Sequence, residues 1–196
     1  MTVAEMVPLV PARSSNQIKA IAGTALKKLF PDLRSLLQPR SLARLFDSGD
    51  LSKIGFSYGV EDLPRQEEAH TDFEENIIIL SPKTYDDLQK GMHRARFTMA
   101  HEIGHAVLHT DSIRAARLVS ASRKIAGIPK FRRGQFPAYV DPEWQANKFA
   151  SSFLMPEQLL DWLASKGILT APTLAFYAHT SEGAAGYRII EYQKSR

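Results

Sequence analysis

The chain has 196 residues, enough for one domain with a core that needs no covalent staple. It contains no cysteine, which excludes a disulfide scaffold, a Cys-ligated zinc site and a cysteine nucleophile. A net charge of +4, with 23% charged and 44% hydrophobic residues, suits a soluble globular protein and gives no footprint of a nucleic-acid binder. The N-terminus lacks the basic flank and apolar run of a signal peptide, and no stretch approaches the roughly 20 apolar residues of a membrane span. The expectation is a cytoplasmic protein with no membrane partner and no direct nucleic-acid partner.

Residues 1–13 are apolar and Pro-bearing without a period, and read as an N-terminal arm. Ser14-Ser15-Asn16 offers helix N-caps, and Ile18, Ile21, Ala22, Ala25, Leu26, Leu29 and Phe30 follow at helical spacing. A short second helix is predicted over 41–47. Residues 54–60 and 76–80 suit strands, the latter with three consecutive isoleucines, and a further short strand fits near 69–73. Ser81-Pro82 then opens helix, as N-cap and first-turn proline. The helical pattern runs from Tyr85 to Leu108, with Gly91 as a possible break, and 112–125 could also be helix. Residues 127–137, with Lys130, Phe131, Arg132 and Arg133, read as a solvated loop. Asp141-Pro142 starts another helix to about Leu154, and two or three more fill 157–192.

The chemistry lies in His101-Glu102-Ile103-Gly104-His105. Histidines four apart on a helix share a face, so both imidazoles can reach one zinc. Glu102, turned about 100° around the axis, is poorly placed as a ligand to the same ion and well placed to hold a water bound there. Two ligands and a general base within five residues is the pattern of metal-assisted amide hydrolysis. Gly104 costs helix stability, which a packed neighbour or an approaching substrate would explain.

A catalytic zinc takes a third protein ligand, and the candidates are His109, Asp111, Asp141, Glu143 and Glu157. His109 extends the row by another turn, too far along the axis for the same ion. Asp111 would need a helix break at position 108, which is Leu. Glu143 falls on or near one face with Ala146, Phe149, Ala150 and Phe153. A carboxylate there is costly unless paired or metal-bound. Sequence chemistry leaves a ligand and a surface ion pair evenly weighed.

Two segments carry a family resemblance. The run from Arg96 to His109 resembles the active-site helix of the ImmA/IrrE-type metallopeptidases, and the run from Glu143 to Pro156 resembles their second motif. The segment 174–188 is similar to their closing helices, so the likeness spans roughly 15–192. The resemblance implies an α+β fold, a mainly helical, minimal thermolysin-like (gluzincin) core with a small antiparallel sheet. On that reading 14–156 form the metallopeptidase core and 157–196 a C-terminal helical segment packed on it. The resemblance also implies Zn(2+) held by His101, His105 and Glu143, with Glu102 as base. His179, Tyr187 and Arg188 are candidates for contact with an oxyanion or substrate. The implied substrate is one cytosolic protein, a helix-turn-helix repressor or an antitoxin. The alternative is a toxin or anti-repressor that binds such a DNA-binding partner without cleaving it.

Overall fold

A computed structural model describes residues 6–31, 41–64, 67–124, 126–132 and 136–194. In chain order the elements are β1 (Met6–Pro8), α1 (Ser15–Leu29), α2 (Leu42–Asp47), a 3-10 turn (Asp50–Ile54), β2 (Ser57–Val60), β3 (Ala69–Asp72), β4 (Ile77–Leu80), α3 (Pro82–Gln89), α4 (His93–Ser122), β5 (Lys130–Arg132), a second 3-10 turn (Ala138–Val140), α5 (Pro142–Leu154), α6 (Glu157–Ser165), α7 (Ala171–Ala178) and α8 (Glu182–Lys194). The molecule is α+β and mainly helical.

Local chemistry accounts for most helix starts. Ser14 and Gln17 close a reciprocal capping box on α1. Ser81 caps α3 and Asp141 caps α5, each followed by proline in the first turn. Gly91, at φ 71°, separates α3 from α4 as the sequence suggests. The segment 112–122 is helical as expected, as the last part of α4, which runs unbroken for 30 residues.

The sheet differs from the antiparallel one expected. Its order is β2-β4-β3, with β3 antiparallel and β2 parallel to β4. The four-residue turn 73–76 folds β3 back on β4. With one antiparallel strand intervening between them, β2 and β4 point the same way and pair in parallel. β4 therefore lies in the centre, where Ile78, Ile79 and Leu80 are buried, which explains the isoleucine run.

A second correction concerns 127–137. Lys130–Arg132 is a strand rather than loop, paired antiparallel with β1. Three residues of alternating basic and aromatic character carry no hydrophobic period, and only the distant arm gives them a partner. Arg133, in the same segment, lies outside the described residues.

The core sits between α1, α4 and α5. Ile18, Ala22 and Leu29 share a cluster with Met99, Ala100 and Ile103, and with Phe149, Ala150 and Phe153, all at most 1% exposed. Two buried arginines bind the C-terminal helices to this core. Arg96 donates from Nε to His179 O at 3.0 Å and from Nη2 to Ala178 O at 3.3 Å, satisfying carbonyls at the end of α7. Arg188 Nε donates to Met155 O at 3.0 Å, at the C-cap of α5. Burial pushes the Arg96 guanidinium down to about 10 and lowers that of Arg188 as well. No helix among the described residues is long and apolar enough to cross a membrane.

Candidate metal centre

The centre is built where α4 crosses α5. A Cβ on Gly104 would lie 3.1 Å from Phe149 Cδ1 and 3.3 Å from Ala146 Cα. The glycine thus admits a packed neighbour, and the approach it permits brings the first turn of α5 up to the two histidines. Asp141 Oδ1 accepts from Glu143 N at 2.9 Å, which orients that turn.

His101 Nε2 and His105 Nε2 lie 2.9 Å apart. Glu143 closes the triangle, with Oε2 at 3.2 Å from His101 Nε2 and Oε1 at 3.3 Å from His105 Nε2. All three ligand atoms lie within 4.8 Å of one another. Two imidazole lone pairs and a carboxylate aimed at one point call for a positive charge between them, and the set fits a divalent metal. Burial opposes charge on Glu143, yet its close contacts with His101 and His105 outweigh it and hold the carboxyl well below its usual range. Burial likewise opposes a charged His101, but Glu143 and Glu102 together raise it.

Each histidine is held from behind. Asn147 Oδ1 lies 3.0 Å from His101 Nδ1. Behind His105 stands His109, its Nδ1 at 3.0 Å from His105 Nδ1 and its Nε2 at 3.3 Å from Gln145 Oε1. His109 is fully buried, which pushes it down to about 3, with His105 adding to the effect. The spacing argument against His109 as a ligand leaves it this supporting place. Asn147 stands one turn after Glu143 on α5, so its position was legible from helical spacing. Gln145, two residues after Glu143, offered no such signal.

Glu102 is 7% exposed, and its Oε2 accepts from Thr71 Oγ1 at 2.7 Å. Thr71 belongs to β3, an edge strand of the sheet, and sequence reasoning gave it no role. The β3–β4 turn is fixed to α4 by Arg114, which donates to Phe73 O and Asn76 Oδ1, each at 2.7 Å. Arg114 thereby keeps Thr71 beside Glu102.

A family model described as the IrrE N-terminal-like domain, a peptidase family, matches residues 67–189. The chain belongs to this family. The IrrE-like family is one of metallopeptidases, and its implied metal agrees with the His101, His105 and Glu143 group. Among solved structures, a Mycobacterium tuberculosis transcriptional regulator is similar over 89% of this chain at 14% identity and a TM-score of 0.51. The IrrE-like chain spans half the length of that regulator, and at this identity the likeness concerns the fold. A search of curated proteins gave no match.

The other third-ligand candidates lie elsewhere. Asp141 serves as the α5 cap, Glu157 pairs with Lys19 at 3.0 Å, and Asp111 is exposed. Among the described residues, none of the three oxyanion candidates is hydrogen-bonded to the His–His–Glu group. His179 ends α7 in a left-handed conformation with its side chain exposed. Tyr187 is 80% exposed on α8, whereas Arg188 is buried behind it.

Proposed function

We propose that the chain is a zinc-dependent endopeptidase, of the thermolysin-like gluzincin type, acting in the cytoplasm on one helix-turn-helix repressor or antitoxin. The observation that carries this reading is the convergence of His101, His105 and Glu143 beside a Glu102 that Thr71 orients from an edge strand. His101, His105 and Glu143 would hold the metal. Zinc bound there supplies a Lewis acid and brings the pKa of a bound water to about 7.

The chain's own residues do the rest. Glu102 accepts the proton of the attacking water at its carboxylate and returns it to the departing amine. Thr71 Oγ1 occupies one carboxylate oxygen and leaves the other for this exchange. β3 has no further strand on its outer side among the described residues, so an extended substrate segment can pair with it and bring a peptide carbonyl over α4. A folded helix offers no such edge, so cleavage would fall in an extended linker of the partner. Of the candidate groups for the developing oxyanion, Tyr187 and His179 can move to a substrate without unpacking the core. Arg188 would first have to leave Met155 O. Residues 14–156 carry all the proposed ligands and the base, and 157–196 would form the helical segment packed on them.

A second reading has its own observation. Phe176 on α7 and Tyr187 and Ile190 on α8 are 72%, 80% and 50% exposed. Large apolar groups presented this way suit a toxin or anti-repressor that holds its DNA-binding partner without cleaving it.

Metal analysis of purified wild type and Glu143→Gln, with a cleavage assay on a candidate helix-turn-helix repressor or antitoxin, separates the two. The peptidase reading expects about one zinc per chain in wild type, its loss in Glu143→Gln, and cleavage by wild type. A stable complex with an intact repressor would replace it with the binding reading. Absence of metal in wild type would overturn both the site and the chemistry.

A further inference from the structure

We infer that a buried chain of hydrogen bonds, from the backbone at Pro11 and Tyr139 through Gln145 and His109 to His105, determines which nitrogen of His105 is left bare for a metal. His109 and Gln145 are thereby positioning residues of the centre. The inference rests on the metal site proposed above.

Gln145 Nε2 lies 2.9 Å from Pro11 O and 2.7 Å from Tyr139 O. Carbonyl oxygens only accept, so the amide nitrogen must be the atom facing them. The other terminal atom is then the oxygen, an acceptor, and it faces Arg13 Nη1 at 3.4 Å and His109 Nε2 at 3.3 Å. An acceptor opposite Nε2 requires a proton there. Gln145 and His109 are both fully buried, so no solvent competes for these bonds.

With its proton on Nε2, a neutral His109 has a bare Nδ1. That atom is 3.0 Å from His105 Nδ1, which must therefore donate. His105 then keeps no proton on Nε2, the atom 2.9 Å from His101 Nε2 and 3.3 Å from Glu143 Oε1. The opposite arrangement, with protons on both nitrogens of His109, would force His105 Nδ1 to accept. Its Nε2 would then carry a hydrogen pointing into the ligand set and could not bind metal.

The anchor of this chain has a consequence for the fold. Pro11 and Arg13 lie outside the stretch that matches the family model, 67–189. The N-terminal arm also receives main-chain bonds of its own, Val10 N to Val140 O at 3.2 Å and Arg13 N to Tyr139 O at 3.1 Å. The arm is therefore part of what orients a ligand that the family segment supplies. His101 has a shorter support, the contact of its Nδ1 with Asn147.

The test uses the full chain labelled with nitrogen-15 at histidine, metal-free and loaded with zinc. The expected spectrum places the proton of His109 on Nε2 and that of His105 on Nδ1 before metal is added. Zinc affinity, measured by chelator competition, should fall by about 10- to 100-fold in His109→Leu. It should be largely kept in His109→Gln, whose amide oxygen can still accept from His105. Thermal unfolding of the metal-free variants separates a lost ligand orientation from a lost fold, and the wild-type spectrum needs no variant. A metal-free wild type with the His105 proton on Nε2, or a folded His109→Leu that binds zinc as tightly as wild type, overturns the inference. Failure of the metal-site proposal looks different: wild type would bind no zinc, while the two tautomers would still read out the hydrogen-bond chain.

Discussion

The crossing of α4 and α5 and the layer of α7 and α8 are made on different terms. At the crossing, small residues bring two backbones together. Gly104 meets Ala146 and Phe149, and the functional atoms fall into place with separations of about 3 Å. In the C-terminal layer, Leu174, Ala178, Ala185 and Tyr192 join the core, Arg96 and Arg188, two buried guanidiniums, satisfy carbonyls at helix ends, and Phe176 and Tyr187 are left in solvent. The first region trades freedom of sequence for placement of atoms. The second needs only secure docking and keeps its outer face free to vary. Substitutions in the two regions should therefore fail in different ways.

The largest effect is expected at the crossing and should leave stability alone. Glu102→Gln removes the proposed base but none of the proposed ligands, so repressor cleavage should drop by about 10²- to 10⁴-fold with zinc content unchanged. Loss of zinc in this variant would instead make Glu102 part of the metal site.

Arg188→Ala should show the opposite profile. It leaves Met155 O without its donor and opens a cavity in the layer, so unfolding should cost about 2–4 kcal/mol less than in wild type. Chemical denaturation measures this, and the zinc affinity of the folded fraction should stay near that of wild type. An equal collapse of zinc affinity would show that the two regions are one unit.

Gly104→Ala is a smaller and more pointed test. Alanine gains about 1 kcal/mol in helix propensity, but a methyl group 3.1–3.3 Å from Phe149 and Ala146 costs about 1–3 kcal/mol in overpacking. Ala146 meets it with backbone, which cannot swing away, so the repulsion should win by about 1 kcal/mol. Zinc affinity should fall as α5 is pushed back with Glu143. A more stable protein with unchanged affinity would show that the approach of the helices has slack.

The smallest effect is expected at Phe176→Ser, on a residue 72% exposed: within about 0.5 kcal/mol in stability. Its value lies in the partner assay. Unchanged cleavage of the repressor favours the peptidase reading, and a weakened complex favours the binding reading.

Much of this was legible in advance because it is local. Helical periodicity alone puts His101 and His105 on one face, and cap residues mark the starts of α1, α3 and α5. The strand near Ala69 was visible too, but Thr71 acquires meaning only when Arg114 ties the hairpin to α4. The pairing of Lys130–Arg132 was invisible because its partner is the arm at the other end of the chain.

Local chemistry is enough to specify a helix that carries two imidazoles one turn apart on one face, with a carboxylate turned about 100° away from the first, since bonds four residues apart set those directions. The resemblance pointed to Glu143 among several distant carboxylates, but packing is what brings it to the two histidines, selects the strand that steadies Glu102, and lets Gln145 bond at once to the arm and to His109. Those choices depend on how closely α4 and α5 approach and on which buried polar groups must find partners, and neither is a property of any short stretch of chain.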